Sequence, residues 1–183
     1  MPEAPEPELD ATQIEAVVRA IEAGDDAIAV PGELLDEREG KATAPPQTLW
    51  AQILGMGMAE KLKLALRGNK DARSILSRDG SKLIRRFVLQ NPRISDAEVI
   101  AVARNRSADE DLVRAIAQRR EWMRNYQVRL ALATNPKTPL VIALKQVGTL
   151  DGRDLRTLAK SKNVPQAVAA QARRLLLTTR APK

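Results

Sequence analysis

Apolar residues along this chain recur three and four positions apart, and no stretch alternates with a period of two. From Thr48 onward this helical spacing continues almost to the C-terminal residues. It is broken at short intervals by Asn, Gly, Pro or a Ser followed by acids. Ser95-Asp96-Ala97-Glu98 and Ser107-Ala108-Asp109-Glu110 have the capping-box form, a hydroxyl for the orphan N–H groups and a Glu three residues on. Thr138-Pro139 and Val164-Pro165 place proline where a first helical turn tolerates it. The body is predicted to be all-α, with no strand required.

Ahead of the body, Ile14, Val17, Val18 and Ile21 predict an amphipathic helix over residues 12–23. The box Thr12-Gln13-Ile14-Glu15 opens it, and it ends near Gly24. A lone helix of about 11 residues is marginal in water, so this one either docks or frays. Residues 24–47 are rich in Gly, Pro and acid and read as a linker with a helical turn at 33–39. The opening MPEAPEPELD alternates proline with acid and reads as extended and mobile. The expected organisation is a flexible acidic arm over 1–47 and a helical-repeat domain over 48–183.

The strongest pattern is an internal repeat. Ile84-Arg85-Arg86-Phe87-Val88-Leu89-Gln90-Asn91-Pro92 aligns without gaps on Val128-Arg129-Leu130-Ala131-Leu132-Ala133-Thr134-Asn135-Pro136. Weaker copies occupy 113–118 and 155–160, the second running on to Asn163-Val164-Pro165. Breaks fall at Asn91, Asn105, Arg119 or Arg120, Asn135, about Leu150 and Asn163. Asn135 and Asn163 lie 28 residues apart, the span of a helical hairpin. Asn is expected there because it tolerates a left-handed or turn conformation, and the proline after it cannot continue a helix.

These short helices, the Asn-Pro-x-x-Pro turns and the recurring aliphatic-Arg-x-x-apolar-Ala pattern, over about residues 58–177, resemble the α-solenoid repeats of the HEAT and leucine-rich-repeat-variant kind. The chain is also similar to a group of uncharacterised bacterial proteins with Ala-Arg-x-Ile-Leu, Asn-Pro-Arg-Ile and Asn-Pro-Lys-Thr-Pro segments, here at 72–76, 91–94 and 135–139. The resemblance implies a short right-handed solenoid of stacked helical hairpins that serves as a binding scaffold. It supplies no activity.

Composition narrows the chemistry. The chain has no Cys and no His, which excludes disulfides, thiolate metal sites and iron–sulfur clusters. It also removes the usual general base and every Ser-His or Cys-His nucleophile system. No HExxH, GxSxG or P-loop pattern occurs, and Gly55 and Gly57 follow no strand and precede no Gly-Lys-Ser/Thr. Four aromatics in all argue against a deep cofactor pocket. No enzyme, cofactor or metal is expected. No run approaches the ~18 apolar residues of a membrane span, and the acidic start is no signal peptide, so a cytoplasmic protein is expected.

Charge changes the picture most. The net of +7 conceals 3 basic against 13 acidic side chains in residues 1–60, and 27 against 10 in residues 61–183. The basic part suits an anionic partner, and an acidic protein or peptide is expected first. The low aromatic count weakens the case for single-stranded nucleic acid. Sequence-nonspecific binding of a phosphate backbone is the alternative, with residues 1–47 competing for the same face in a self-regulated version.

Candidate partner-binding residues follow from the repeat. Arg85, Arg114, Arg129 and Arg156 share one repeat position, with Arg73 and Arg173 as looser members. They form either an arginine ladder for phosphates or carboxylates, or braces that cap neighbouring helices. Arg119, Arg120, Trp122, Arg124 and Tyr126 cluster two aromatics among arginines. They form either a recognition patch or a plug where the repeat is irregular. Residues 50–58 are apolar and glycine-interrupted and read as an N-terminal cap of the repeat stack, or as a peptide that docks on a partner. Trp122, Asp111 and Arg119 loosely match the residue types of HEAT-like DNA glycosylases, without an aligned motif.

Overall fold

In the computed structural model, which describes residues 9–36 and 46–179, local sequence signals decide where the helices begin and end. Among the described residues there are twelve α-helices, one 3-10 turn and no strand. The chain divides into two compact units, one through Ile94 and one from Ser95.

The first unit holds α1 (Ala11–Ala23), a 3-10 turn (Gly32–Leu34), α2 (Pro46–Leu54), α3 (Met58–Arg67), α4 (Lys70–Leu76) and α5 (Lys82–Val88). Asp10, not Thr12, opens α1: its carboxylate accepts the Gln13 N–H at 2.8 Å, and the Gln13 side chain accepts the Asp10 N–H at 2.9 Å. A carboxylate at the positive end of the helix is a stronger cap than a threonine hydroxyl, which moves the start one residue earlier than expected. Gly24 ends the helix with φ of 75°, the left-handed conformation that closes its last carbonyls.

Helix α3 is the centre of this unit and packs on α1, α4 and α5, while α2 packs on α4. Ile21, Leu34, Ile53, Leu62, Leu76 and Ile84 are buried in one core. The N-terminal helix therefore docks, with Ile21 fully enclosed. Residues 25–36, expected as linker, are tied down by the basic side of the fold. Lys63 holds the Asp26 carboxylate at 2.6 Å and the Ile28 carbonyl at 2.7 Å. Arg93 donates to the Leu35 carbonyl at 2.7 Å, while Arg67 holds the last turn of α1, donating to the Glu22 carbonyl at 3.0 Å. The turn expected at 33–39 is a 3-10 turn at Gly32–Leu34, with residues 37–39 outside the described residues, as are residues 1–8 of the segment expected to be extended. In 50–58, Met56 and Met58 pack against the same core.

The second unit holds α6 (Asp96–Arg104), α7 (Glu110–Gln118), α8 (Arg120–Arg124), α9 (Tyr126–Thr134), α10 (Leu140–Val147), α11 (Gly152–Lys160) and α12 (Gln166–Thr179). Helix α6 packs on α7 and α9, α9 on α10, and α12 on both α10 and α11. The breaks expected at Asn105, Arg119, Asn135, Leu150 and Asn163 all lie between helices. The Ser95 box forms as expected, with the Ser95 N–H on Glu98 at 2.9 Å and the Glu98 N–H on Ser95 Oγ at 3.3 Å. The Ser107 box does not form, and α7 starts at Glu110. Asn105 draws the residues after it into a turn: its side-chain oxygen accepts the Ser107 N–H at 2.9 Å, and its carbonyl accepts the Ala108 N–H at 3.1 Å. No described helix is long and apolar enough to cross a membrane.

Candidate functional site

The repeat positions explain themselves once their partners are known. Asn91 and Asn135 are both buried. The Asn91 side-chain amide donates to the carbonyls of Ala65 at 3.0 Å and Gly68 at 3.2 Å, at the end of α3. The Asn135 amide donates to Ala103 at 2.7 Å and Asn105 at 3.0 Å, at the end of α6. On the other side, the two side-chain oxygens accept the N–H groups of Arg93 and Lys137 two residues on. Each Asn thus closes its own turn and clamps the last carbonyls of an earlier helix. Of the left-handed or turn conformation expected for it, the turn is the one used, since no described residue other than glycine has a positive φ. The side chain is what the position needs.

Four of the recurring arginines brace backbone carbonyls, Arg73, Arg129 and Arg173 at helix ends and Arg85 in the loop before α5. Arg73 donates to the Gly68 carbonyl at 3.0 Å. Arg85 donates to the carbonyls of Asp79 and Gly80. Arg129 donates to Met123 at 3.0 Å and Arg124 at 3.2 Å, and Arg173 to Ala159 at 2.9 Å. A cation at a helix C-terminal end meets the negative end of the helix dipole and satisfies carbonyls left without an intrahelical donor. Of the four arginines at the shared position, Arg85 and Arg129 are braces. Arg114 pairs with Glu110 at 2.5 Å across one helical turn, with both side chains half exposed. Arg156 is exposed and makes no such bond. Arg85 belongs to the first unit and the other three to the second.

The aromatic cluster is mostly internal. Trp122 is buried, and the Arg119 guanidinium covers its ring at 4.6 Å from the centroid. Tyr126 is half-buried; its hydroxyl donates to the Asp154 carboxylate at 2.5 Å and accepts the Asp151 N–H at 3.2 Å. Burial, reinforced by the Asp154 carboxylate, pushes the Tyr126 phenol up to about 12. Arg129 stands over its ring at 5.5 Å. Arg120 and Arg124 remain exposed beside this cluster, and Asp111 is exposed in the first turn of α7.

A line of three exposed cations lies on α11. Leu155 and Leu158 are buried against α12, in a core with Val168 and Ala172. The opposite side carries Arg153, Arg156 and Lys160, all exposed, with Thr157 between them and Ser161 at the helix end. These five residues line a shallow depression of about 530 Å³. The two carboxylates of the helix lie at its start and are taken. Asp151 accepts the N–H groups of Arg153 at 3.0 Å and Asp154 at 2.8 Å, and Asp154 accepts the Tyr126 hydroxyl. Asp151 is held below the usual carboxylate range, first by the Asp154 N–H. Among the described residues, no ion pair engages Arg153, Arg156 or Lys160. Sequence reasoning singled out Arg156 and missed Arg153 and Lys160. Their signal was present in the spacing: leucines at 155 and 158 against cations at 153, 156 and 160.

No protein-family model, curated protein or solved structure matches this chain.

Proposed function

We propose that this chain is a non-enzymatic binding module, a short right-handed solenoid of HEAT-like helical hairpins that engages an acidic protein partner through a basic, arginine-rich face. The repeat reading is supported by the Asn clamp and the Arg brace, which recur at matching repeat positions, Asn91 with Arg85 and Asn135 with Arg129. The partner reading is carried by one observation. Residues 122–183 hold 12 basic side chains against 2 acidic, and both acids, Asp151 and Asp154, are engaged within the fold. The surplus positive charge has no internal counterpart of that size, and such a surface attracts anionic partners over about a Debye length.

The test is fluorescence anisotropy of a labelled oligoglutamate peptide and of labelled duplex DNA, each titrated with the full chain across a salt series. Micromolar or tighter peptide binding that weakens with salt supports the acidic-protein reading. Tighter binding of the duplex at every salt concentration replaces it with the phosphate-backbone reading, and the salt slope then counts phosphate contacts. Absence of binding to both overturns both.

A further inference from the structure

We infer that the outward side of α11 is the anion-reading element, and that its occupant is an acidic peptide segment presenting carboxylates along a line. This rests on the binding-module reading above and assigns it a place. Three properties single out this surface. The first is spacing. Arg153, Arg156 and Lys160 are separated by three and four residues, so they share one helix side and span about 10 Å of its axis. Acidic side chains repeating at similar intervals on a helix or an extended peptide match that line, and guanidinium groups bind carboxylates in a two-pronged manner.

The second property is availability. Arg73, Arg85, Arg129 and Arg173 already spend donors on backbone carbonyls, Arg114 pairs with Glu110 and Arg119 covers Trp122. Among the described residues the side chains of the α11 cations make no hydrogen bond or close ion pair, Arg153 only adding its charge to what holds Asp151 ionised. The third is rigidity. The helix is capped by Asp151, anchored by Leu155 and Leu158, and fastened at its start by Tyr126 on α9. A partner therefore meets three charges already held in line and loses less entropy in ordering them. Thr157 and Ser161 add small polar side chains to the same depression and leave it unobstructed by large ones. The lining holds no aromatic, which favours carboxylates over nucleobases that stack.

The experiment compares three full-length proteins in the oligoglutamate titration: the unmodified chain, R153Q/R156Q/K160Q, and the charge-matched control K137Q/K145Q/R174Q. All six substituted residues are exposed, and circular dichroism with thermal melting checks that both variants fold. The α11 variant is expected to lose about tenfold or more in affinity, with the control within about twofold of the unmodified chain. Equal losses in both variants overturn the α11 assignment while leaving the binding-module reading intact, since diffuse charge then carries the affinity. Failure of the unmodified chain to bind the peptide overturns both. If the α11 variant is unfolded, R156E alone replaces it, and an affinity loss below about twofold in R156E overturns the assignment.

Discussion

At the scale of single residues, the buried side chains of Asn91, Asn135 and Arg73 serve helix ends. Asn135 satisfies two carbonyls and one N–H at once, and truncating it strands those groups away from water. A buried polar group without a partner costs about 1–3 kcal/mol, so Asn135→Ala is expected to destabilise the protein by about 2–3 kcal/mol in urea denaturation. Asn163 ends a break in the same repeat pattern but is exposed, and only its backbone meets Arg106. Asn163→Ala is expected to change stability by less than about 0.5 kcal/mol. Equal effects at the two positions would remove the clamp as the reason for Asn135. The repetition of Asn was legible in the sequence, but its purpose was not: a turn-forming Asn and a clamping Asn look alike until the carbonyls are located.

At the scale of elements, Tyr126 ties α9 to the start of α11 through Asp151 and Asp154. Its folded-state pKa of about 12 lies above the ordinary value of 10.0. Below the ordinary value both the folded and unfolded states keep the proton, and the contact contributes in full. As pH rises from there through the folded value, the unfolded chain releases its proton first, and stability falls. The chain has a single tyrosine, so phenolate absorbance reports this group alone. The expected result is a midpoint well above that of the urea-unfolded chain, with melting temperature falling across the same pH window. Coincident midpoints for folded and unfolded protein would show that the hydroxyl is not held. The helices were legible because caps and apolar periodicity act within about one turn. The Ser107 box failed because Asn105, two residues earlier, made a competing turn of the same local kind.

At the scale of the whole molecule, the acidic stretch is partly structural. Residues 9–36 supply Ile21 and Leu34 to the first unit's core; Arg67 holds the last turn of α1, and Lys63 and Arg93 hold the segment that follows it. Ile21→Ala removes a fully enclosed side chain and is expected to cost about 2–5 kcal/mol, read as an earlier urea midpoint. A change of less than about 0.5 kcal/mol would mean that α1 is not a fixed part of that core. It follows that cutting the chain at residue 47 removes core as well as charge. Competition by the acidic segment for the basic surface is better tested by neutralising exposed acids such as Glu15 and Asp25 than by truncation.

The amino-acid order alone determined the all-helical class, most of the breaks, the capping of α6 and the uneven charge, because each depends on residues within a few positions of one another. Tertiary structure decided which polar side chains are free. Asn91 and Asn135 find their carbonyls 26 and 32 residues away, a pairing that packing creates and periodicity cannot display. In the same way, the repeating arginine reads as one feature along the chain. Only the fold separates Arg85 and Arg129, spent on backbone carbonyls, from Arg156, left with Arg153 and Lys160 facing water.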